Sequence, residues 1–293
     1  MSVSVVVRTY NESKHLGELL AKIREQVLPQ RNVEVVVVDS GSTDNTVRIA
    51  EAHGARVVTI AQSEFTFGRS LNIGCEATSG DVLAFVSGHC VPVGEDWLRN
   101  LTRPIREQRA VYSYGRQIGN GATRFSEHQL FLKYFPDESK TPQEGFFVNN
   151  ANSAIAAETW RSLRFDEQLT GLEDMELGKR IVASGSRIAY CADAPVYHLH
   201  DESWRQVKLR YEREAIALQH IMPEVHLTFG DFLRFFASAV LLDCGVALQE
   251  RKLHRALGEI VMFRAMQFWG SYRGNHAHRV LSRQMKHRYF YPR

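Results

Sequence analysis

The sequence predicts an α/β fold in which a mostly parallel, Rossmann-like sheet is flanked by helices. The first observation is a pair of valine-rich runs, at residues 3–7 (VSVVV) and 35–38 (VVVV), without the polar alternation of a half-exposed strand. Such runs are typical of strands that helices bury on both faces. The second observation is a repeated alternation of strands with amphipathic helices, which indicates right-handed parallel crossovers.

The elements of the first 90 residues follow this alternation. After the strand at 3–7, a helix is indicated by apolar residues at helical spacing that stop before Pro29, namely Leu16, Leu19, Leu20, Ile23 and Val27. The expected elements are then a strand at 35–38, a helix at 45–53, a strand at 56–60, a helix at 69–77 and a strand at 82–87. Together they predict a doubly wound sheet.

The alternation weakens after Pro92. Turn-forming residues and little periodicity mark 117–145, which we expect to be a loop region. Around it we expect a helix at 96–107, strands at 111–116 and 154–156, a helix at 175–184, and strands at 187–190 and 195–198. From about residue 203 the apolar spacing is mostly helical, so a helical C-terminal extension is predicted.

Charge is distributed unevenly along the chain. The formal charge of +3 over 293 residues is too small to indicate a nucleic-acid partner, and none is expected. Residues 260–293, however, contain no Asp or Glu and interleave basic side chains with aromatic ones, among them Arg264, Trp269, Tyr272 and Arg273. This mixture suits an anionic membrane surface, so peripheral membrane contact through 229–293 is one interpretation. A solvated basic helix face is the other.

Cysteine usage and hydropathy bear on the compartment. The four cysteines show no CxxC pair, so we expect free thiols in a reducing compartment. No signal peptide is evident, and the longest apolar run, 235–242, is too short for a membrane span. We therefore expect a cytoplasmic protein, which could act at the inner face of the cell membrane.

Asp39 follows the run at 35–38 directly. Ser40, Gly41, Ser42 and Thr43 come next and favour a turn into a helix. Open α/β sheets bind ligands at the carboxyl ends of their strands, where a carboxylate can accept a hydrogen bond from a sugar hydroxyl or a base N–H. Capping of the next helix is the alternative role for Asp39.

Four separated stretches carry a resemblance to a known family. They are YNE at 10–12, VVVDSGSTDNT around Asp39, FTFGRSLNIGCEATSGD at 65–81 and GLEDMELGKRIVASG at 171–185. In this order, and over residues 3–200, they resemble the inverting glycosyltransferases of family 2, which have a GT-A-type fold. The resemblance implies a nucleotide-sugar-binding and catalytic domain at 1–202, followed by the extension at 203–293.

The resemblance implies where a nucleotide-sugar donor binds. Base and ribose contacts would come from the ends of the first two strands, and the diphosphate would lie near the later helix and strand. The residues at the matching positions are Thr9, Tyr10, Glu12, Asp39, Ser42, Asp44, Arg69, Asn72, Ser87 and Gly88. Helix capping is an alternative role for Ser42 and Asp44, and simple surface exposure for Arg69.

The sequence departs from the family at Ser87, Gly88 and His89. Family members usually have an Asp-x-Asp motif there, whose last carboxylate binds a divalent cation. One interpretation is that His89 and His198 hold Mn²⁺ or Mg²⁺ with help from the diphosphate, since imidazole can ligate Mn²⁺. A second is a metal-independent enzyme in which protonated His89 or arginines neutralise the diphosphate. A third is that His89 only packs.

Glu173 and Asp174 match the family's Glu-Asp motif, and the resemblance implies that Asp174 is the catalytic base and that Glu173 orients it or touches the acceptor. Sugar transfer with inversion needs such a base opposite the departing diphosphate. Carboxylates are also common at helix N-termini for reasons of stability alone. The resemblance adds Asn150, Asn152 and Arg180 as donor-sugar, acceptor or phosphate contacts. Turn formation explains the asparagines equally well, and core packing explains Trp160 better than sugar stacking does.

We therefore expect an inverting glycosyltransferase that moves a sugar from a nucleotide-sugar donor to a glycan or lipid-linked glycan, in bacterial-type cell-surface polysaccharide synthesis. The alternative is a non-catalytic nucleotide-sugar or glycan-binding protein of the same fold, favoured by the missing acidic motif. A dehydrogenase is excluded because no GxGxxG follows the first strand. Oligomeric state is left open.

Overall fold

One eight-stranded sheet organises the computed structural model, which describes residues 1–27, 33–277 and 283–292. Its strands are β1 Val3–Thr9, β2 Glu34–Asp39, β3 Arg56–Thr59, β4 Val82–Ser87, β5 Cys90–Pro92, β6 Tyr112–Ile118, β7 Asn152–Ala156 and β8 Ile188–His198. The valines of β1 and β2 are buried as the continuous apolar runs predict, with Val5, Val6, Val7, Val36 and Val37 completely inaccessible to solvent.

The strand order is β3-β2-β1-β4-β7-β6-β8-β5. The pairs β3-β2, β2-β1, β1-β4 and β6-β8 are parallel, and the remaining three are antiparallel. The sheet is therefore mostly parallel, and the predicted α/β class is confirmed. Because β1 lies between β2 and β4, the carboxyl ends of these three strands meet at one edge.

Contacts between Cα atoms divide the chain into two compact units. The first, here called the sheet unit, is Met1–Asn120, Phe135–Leu169 and Glu173–Leu199; the second, the helical unit, is Gly121–Tyr134, Thr170–Leu172 and His200–Arg293. The predicted domain boundary after residue 202 stays a prediction. The sheet unit contains all eight strands and the helices α1 Leu16–Arg24, α2 Thr46–Ala52, α3 Phe67–Glu76, α4 Trp97–Arg106, α6 Ala157–Leu163 and α7 Glu173–Ala183.

The helical unit contains α5 Phe125–Tyr134, α8 Trp204–Ile221, α9 Phe229–Gln249, α10 Leu253–Asn275 and α11 Arg283–Phe290. Helix α10 approaches α8 closely at two glycines, because a Cβ on Gly270 or Gly274 would lie 2.4 Å from Lys208 O or 2.2 Å from Glu212 O. A buried ion pair joins α9 to α10, where Arg264 donates to both carboxylate oxygens of Asp243 at 2.8 and 2.9 Å. No helix among the described residues is long and apolar enough to cross a membrane.

Three sequence expectations need correction. Residues 117–145 are not only loop, because α5 lies within them; its buried face includes Ser126 and Glu127, so it lacks the apolar stripe that would have indicated a helix. The expected strands at 187–190 and 195–198 are one strand, β8, since Asp193 is exposed and interrupts the apolar run without ending the strand. Helix α1 ends at Arg24, which leaves Val27 outside it and half exposed.

The four cysteines are free, as expected.

Candidate functional site

The candidate site lies in the sheet unit, where β1, β2 and β4 end. The strand registers pair Thr9 with Asp39 and Arg8 with Ser87, so these ends are adjacent. This is the edge at which open α/β sheets bind ligands. Gly88 allows the close approach, because a Cβ there would lie 2.9 Å from Glu12 Cγ and 3.2 Å from Arg8 O.

The Asp39 carboxylate is buried and organises the turn after β2. It accepts hydrogen bonds from the backbone N–H groups of Gly41 and Ser42, at 3.0 and 2.9 Å, and from the hydroxyls of Ser42 and Thr9. Asp39 thus closes the turn and does not cap the next helix, because α2 begins at Thr46 with Asn45 at its N-cap position. A hydrogen bond from Asp39 to a base or ribose stays a prediction, and it would compete with the Thr9 and Ser42 hydroxyls.

The loop after Asp39 is tied to the loop after β1. Asn11, in the left-handed region with φ 55°, donates its N–H to Ser42 Oγ at 2.8 Å and accepts from Thr43 N–H. Asp44 accepts from the backbone of Ser13 and Thr46. Although burial raises the pKa of Asp44, these hydrogen bonds and those from the Thr46 side chain lower it to about 2. The two loops thus form one preorganised rim beside Tyr10.

A chain of four side chains links the segments after β1 and β4 with strands β6 and β8. Glu12 Oε1 lies 2.7 Å from His89 Nδ1, His89 Nε2 lies 3.2 Å from His198 Nε2, and Gln117 Oε1 lies 2.6 Å from His198 Nδ1. The two imidazole rings stack with their planes 18° apart. The structure therefore brings together His89 and His198, the two residues predicted as metal ligands.

The partners of the imidazoles determine which nitrogens face each other. A carboxylate and an amide oxygen only accept, so they place the protons of His89 and His198 on Nδ1. When both rings are neutral, both Nε2 atoms carry lone pairs, and their separation of 3.2 Å lets them bind one ion with N–metal bonds of about 2.1 Å. Imidazole nitrogens suit Mn²⁺ better than Mg²⁺, which prefers carboxylates. The pair thus fits a divalent cation.

Glu173 and Asp174 begin helix α7, and both are buried. Arg8 Nη1 donates to Glu173 Oε1 at 3.1 Å, and its guanidinium stacks 5.0 Å from the centre of the Phe67 ring. Asp174 Oδ2 accepts the backbone N–H of Asn150 at 2.8 Å. Burial and the neighbouring charge of Glu173 raise the pKa of Asp174 to about 7, against the opposing charge of Arg8. A carboxyl group with such a pKa suits proton transfer near neutral pH.

Asn150 is positioned by a small buried network. Its Oδ1 accepts from the hydroxyls of Tyr112 and Ser153, at 2.7 and 2.6 Å. Burial keeps the pKa of Tyr112 well above its usual value, so this hydroxyl stays protonated and donates. Asn150 Nδ2, also buried, has no hydrogen-bond partner among the described residues. The network fixes the backbone N–H that binds Asp174 and leaves one amide donor for another group.

Other predicted site residues hold parts of the protein together. The Asn72 side chain makes four hydrogen bonds, to Trp160, Glu167 and both backbone groups of Phe165, and Asn152 makes three, to Trp97, Arg116 and Ala194. Arg180 binds Glu176 and the carbonyls of Leu163 and Arg164. Arg69 lies 3.8 Å from Glu64. Their predicted contacts with substrate stay predictions, whereas core packing of Trp160 is confirmed.

Sequence analysis missed three residues of the site. Arg8 pairs with Glu173, Gln117 orients His198, and Tyr112 orients Asn150. A charged residue at the end of a valine-rich buried strand is unusual, and this signal could have identified Arg8. Gln117 and Tyr112 lie in a strand of ordinary composition and carried no comparable signal.

Comparison with known proteins agrees with this geometry. The O-antigen chain rhamnosyltransferase RfbN of Salmonella typhimurium is 25% identical over 224 residues, which cover 72% of this chain and 70% of RfbN. The poly(ribitol-phosphate) β-N-acetylglucosaminyltransferase TarS of Staphylococcus aureus is 23% identical over 248 residues, 82% of this chain and 41% of TarS.

Solved structures share the fold. A mannosyltransferase from Pyrobaculum calidifontis, in complex with GDP-Man and Mn²⁺, superposes with a TM-score of 0.59 and 21% identity over 90% of this chain and 72% of its own. Glucosyl-3-phosphoglycerate synthase from Mycobacterium tuberculosis, with phosphoglyceric acid, gives a TM-score of 0.56 and 21% identity over 75% of this chain and 79% of its own. The model of the family described as glycosyl transferase family 2 matches residues 4–166, more than half of the chain. The resemblance is therefore confirmed, and the chain belongs to glycosyl transferase family 2.

Proposed function

We propose that the protein is an inverting glycosyltransferase, which moves a sugar from a nucleotide-sugar donor to a hydroxyl of a glycan or lipid-linked glycan in cell-surface polysaccharide synthesis. The observation that carries the proposal is Asp174, a buried carboxyl group with a pKa near 7 at the start of α7. The similarity to proteins named for an O-antigen chain and for poly(ribitol phosphate) supports the acceptor class. The site of action would be the cytoplasmic face of the membrane.

The reaction would be one direct displacement. Asp174 takes the proton of the acceptor hydroxyl, and at the same time the acceptor's hydroxyl oxygen forms a bond to the anomeric carbon of the donor sugar. The bond from that carbon to the diphosphate breaks at the same time, and the nucleoside diphosphate leaves with the electron pair. Inversion follows because the two oxygens lie on opposite faces of the sugar. Glu173, held by Arg8, would touch the acceptor or keep Asp174 in place.

The donor would bind across the carboxyl ends of β1, β2 and β4. We propose that Thr9, Tyr10, Glu12, Asp39 and Ser42 contact the base and ribose, with Ser87 and Gly88 near the diphosphate. His89 and His198 would hold a divalent cation, with Mn²⁺ favoured over Mg²⁺ because both ligands are nitrogens. When bound, the cation neutralises negative charge on the leaving diphosphate. Glu12 and Gln117 keep both imidazoles oriented for this role.

Calorimetric titration with a panel of nucleoside diphosphates and nucleotide sugars tests donor and metal together. We expect one nucleotide to bind in Mn²⁺, and chelator or His89→Ala to weaken it about tenfold to a hundredfold. His53→Ala is the control, because His53 ends α2 away from the Glu12 to Gln117 chain. Equally tight binding in chelator would establish a metal-independent transferase. A protein that binds donor but transfers no sugar in Mn²⁺ to any glycan acceptor would be the non-catalytic binder.

Arg8→Gln tests how Glu173 and Asp174 are coupled. The charge of Arg8 lowers the pKa of Asp174 and compensates Glu173, so its removal should raise the pKa of the base. The acid limb of the kcat/KM profile should therefore move to higher pH by about one unit, with activity recovering at alkaline pH. Arg8→Lys keeps the charge and should keep the limb near its wild-type position. An equal loss at every pH would mean that Arg8 binds the substrate instead.

A further inference from the structure

Helices α9 and α10 of the helical unit expose an unusual number of large apolar side chains. Seven of them form what we call the hairpin face, with exposed fractions of 48% for Leu233, 72% for Leu241, 71% for Leu242, 65% for Leu248, 47% for Leu257, 40% for Val261 and 41% for Met262. Exposed apolar side chains that gather in one part of a protein mark a surface that contacts another protein or a membrane. Something is therefore expected to cover it.

The hairpin face consists of outward side chains of a well-packed helix pair. Ala247 of α9 packs with Ala256 and Ile260 of α10 on the inner side. The same side buries the ion pair of Asp243 with Arg264, to which Ser126 adds a hydrogen bond at 2.6 Å. The exposed leucines are thus presented by a rigid scaffold, and covering them requires no rearrangement of the pair.

Charge is almost absent from the outer side of α9. Its exposed residues are Phe229, Gly230, Leu233, Arg234, Ala237, Ser238, Leu241, Leu242, Gly245, Leu248 and Gln249, of which Arg234 alone is charged. The turn into α10 is different, since Arg251, Lys252 and Arg255 are exposed there and outnumber the one exposed carboxylate, Glu250. An apolar face with a basic margin is typical of helices that lie in the plane of an anionic membrane.

Aromatic side chains gather at the other end of the hairpin, where α9 begins and α10 ends. Phe229 and Phe232 pack edge-on or tilted against Trp269 and Tyr272, which stack on each other, and ring centroids within the group are 5.6 to 6.0 Å apart. Phe229 is half exposed. Tryptophan and tyrosine favour the depth of the lipid headgroups, because an apolar ring and a polar group can each meet a suitable environment there.

We propose that the hairpin face docks on an anionic phospholipid membrane, with its leucines between the acyl chains nearest the surface and Arg251 and Arg255 at the lipid phosphates. This inference goes beyond the proposed catalysis. It needs neither donor nor acceptor, so its failure is distinguishable from failure of the proposed function.

The charges favour lipid over a second copy of this chain. In a twofold dimer the same surface of both copies forms the contact. The carboxylates that neutralise the exposed arginines of one copy would therefore have to lie on the α9–α10 hairpin of the other. Its four carboxylates are poorly suited, because Asp231 pairs with Arg234, Glu250 pairs with Lys252, Asp243 is buried and Glu259 is partly buried. Lipid phosphates supply the complementary charge.

Co-sedimentation of the full chain with vesicles tests the proposal. The vesicles contain phosphatidylcholine alone or with about 30 mol% phosphatidylglycerol, which gives the surface a negative potential. We expect binding to the anionic vesicles, and about tenfold or weaker partitioning of the double variant Leu241→Ser with Leu242→Ser. The matched control is Val27→Ser with Val182→Ser, which removes two exposed apolar side chains from the sheet unit and should bind like wild type.

A charge variant and a mass measurement complete the test. Arg251→Gln with Arg255→Gln should lose most of the preference for phosphatidylglycerol, and added salt should reduce wild-type binding in the same way. Circular dichroism checks that each variant is folded. Light scattering on a sizing column reports the oligomer. If the wild-type protein does not bind anionic vesicles, the lipid proposal is wrong. It is also wrong if the wild type is a dimer, the leucine variant is a monomer, and neither binds vesicles.

Discussion

Replacement of Asp174 by Asn is expected to lower kcat for sugar transfer by about 10²–10⁴-fold, the usual contribution of a positioned general base. The amide cannot accept the acceptor's proton, although it nearly preserves the shape of the carboxyl group and can still accept the Asn150 N–H. The residues proposed to bind the nucleotide lie on other elements, so the Kd for the donor should change by no more than about threefold. Single-turnover transfer and calorimetry measure the two effects separately.

The pH profile gives the same prediction a second readout. Because burial and Glu173 raise the pKa of Asp174 to about 7, the group is protonated and inactive as a base below that pH. Wild-type kcat/KM should therefore rise about tenfold per pH unit up to near pH 7 and then level off. The residual activity of Asp174→Asn should lack this limb. A wild-type limb near pH 4, or an unchanged limb in the variant, would show that another group is the base.

Unfolding must be excluded as the cause of lost activity. A carboxyl group whose pKa is raised in the folded state stabilises the fold below its unfolded pKa, and that stability is lost as pH rises through about 7. The neutral amide removes this loss, so Asp174→Asn should unfold at pH 8 at no lower temperature than wild type. Glu158→Gln, at an exposed position of α6, is the control for loss of a carboxylate and should leave kcat unchanged.

Replacement of Asp243 by Ala is expected to destabilise the protein by about 3–5 kcal/mol, because it leaves the buried guanidinium of Arg264 without its counter-charge. Both side chains are at most 6% exposed, and they share two hydrogen bonds. Ser126 of α5 loses its acceptor at the same time. Urea denaturation followed by circular dichroism measures the change in the free energy of unfolding.

The ion pair of Glu250 with Lys252 provides the matched control. Its two charged atoms lie 2.7 Å apart, close to the 2.8 Å of Asp243 with Arg264, but the side chains are 42% and 62% exposed. Glu250→Ala should therefore change the free energy of unfolding by no more than about 0.5 kcal/mol. The double variant Asp243→Leu with Arg264→Met should recover much of the lost stability, since well-packed apolar residues can replace a buried ion pair. A loss below about 1 kcal/mol for Asp243→Ala would show that water reaches Arg264.

The sequence alone predicted the framework of the sheet unit. The valine runs of β1 and β2 and the amphipathic pattern of α1 are local signals. A strand buried on both faces gives a continuous apolar run, and a helix buried on one face gives apolar residues at helical spacing. Asp39 and Asp174 were likewise identifiable from two of the four separated stretches, and His89 and His198 from family positions outside those stretches. Helix α5 escaped prediction because Ser126 and Glu127 occupy its buried face.

The tertiary structure decided what these residues contact. Arg8 reaches Glu173 across 165 positions of sequence, and His89 meets Glu12 and His198 across 77 and 109. It also showed that the side chains of Asn72, Asn152 and Arg180 bond to groups within the protein. The hydropathy pattern indicates whether a position is buried. The pKa of Asp174 and the orientation of the two imidazoles depend instead on partners that are distant in sequence and that only the tertiary fold brings together. The sequence thus determined the family and the candidate base, Asp174, and the fold determined the pKa of Asp174 and the residues that contact it.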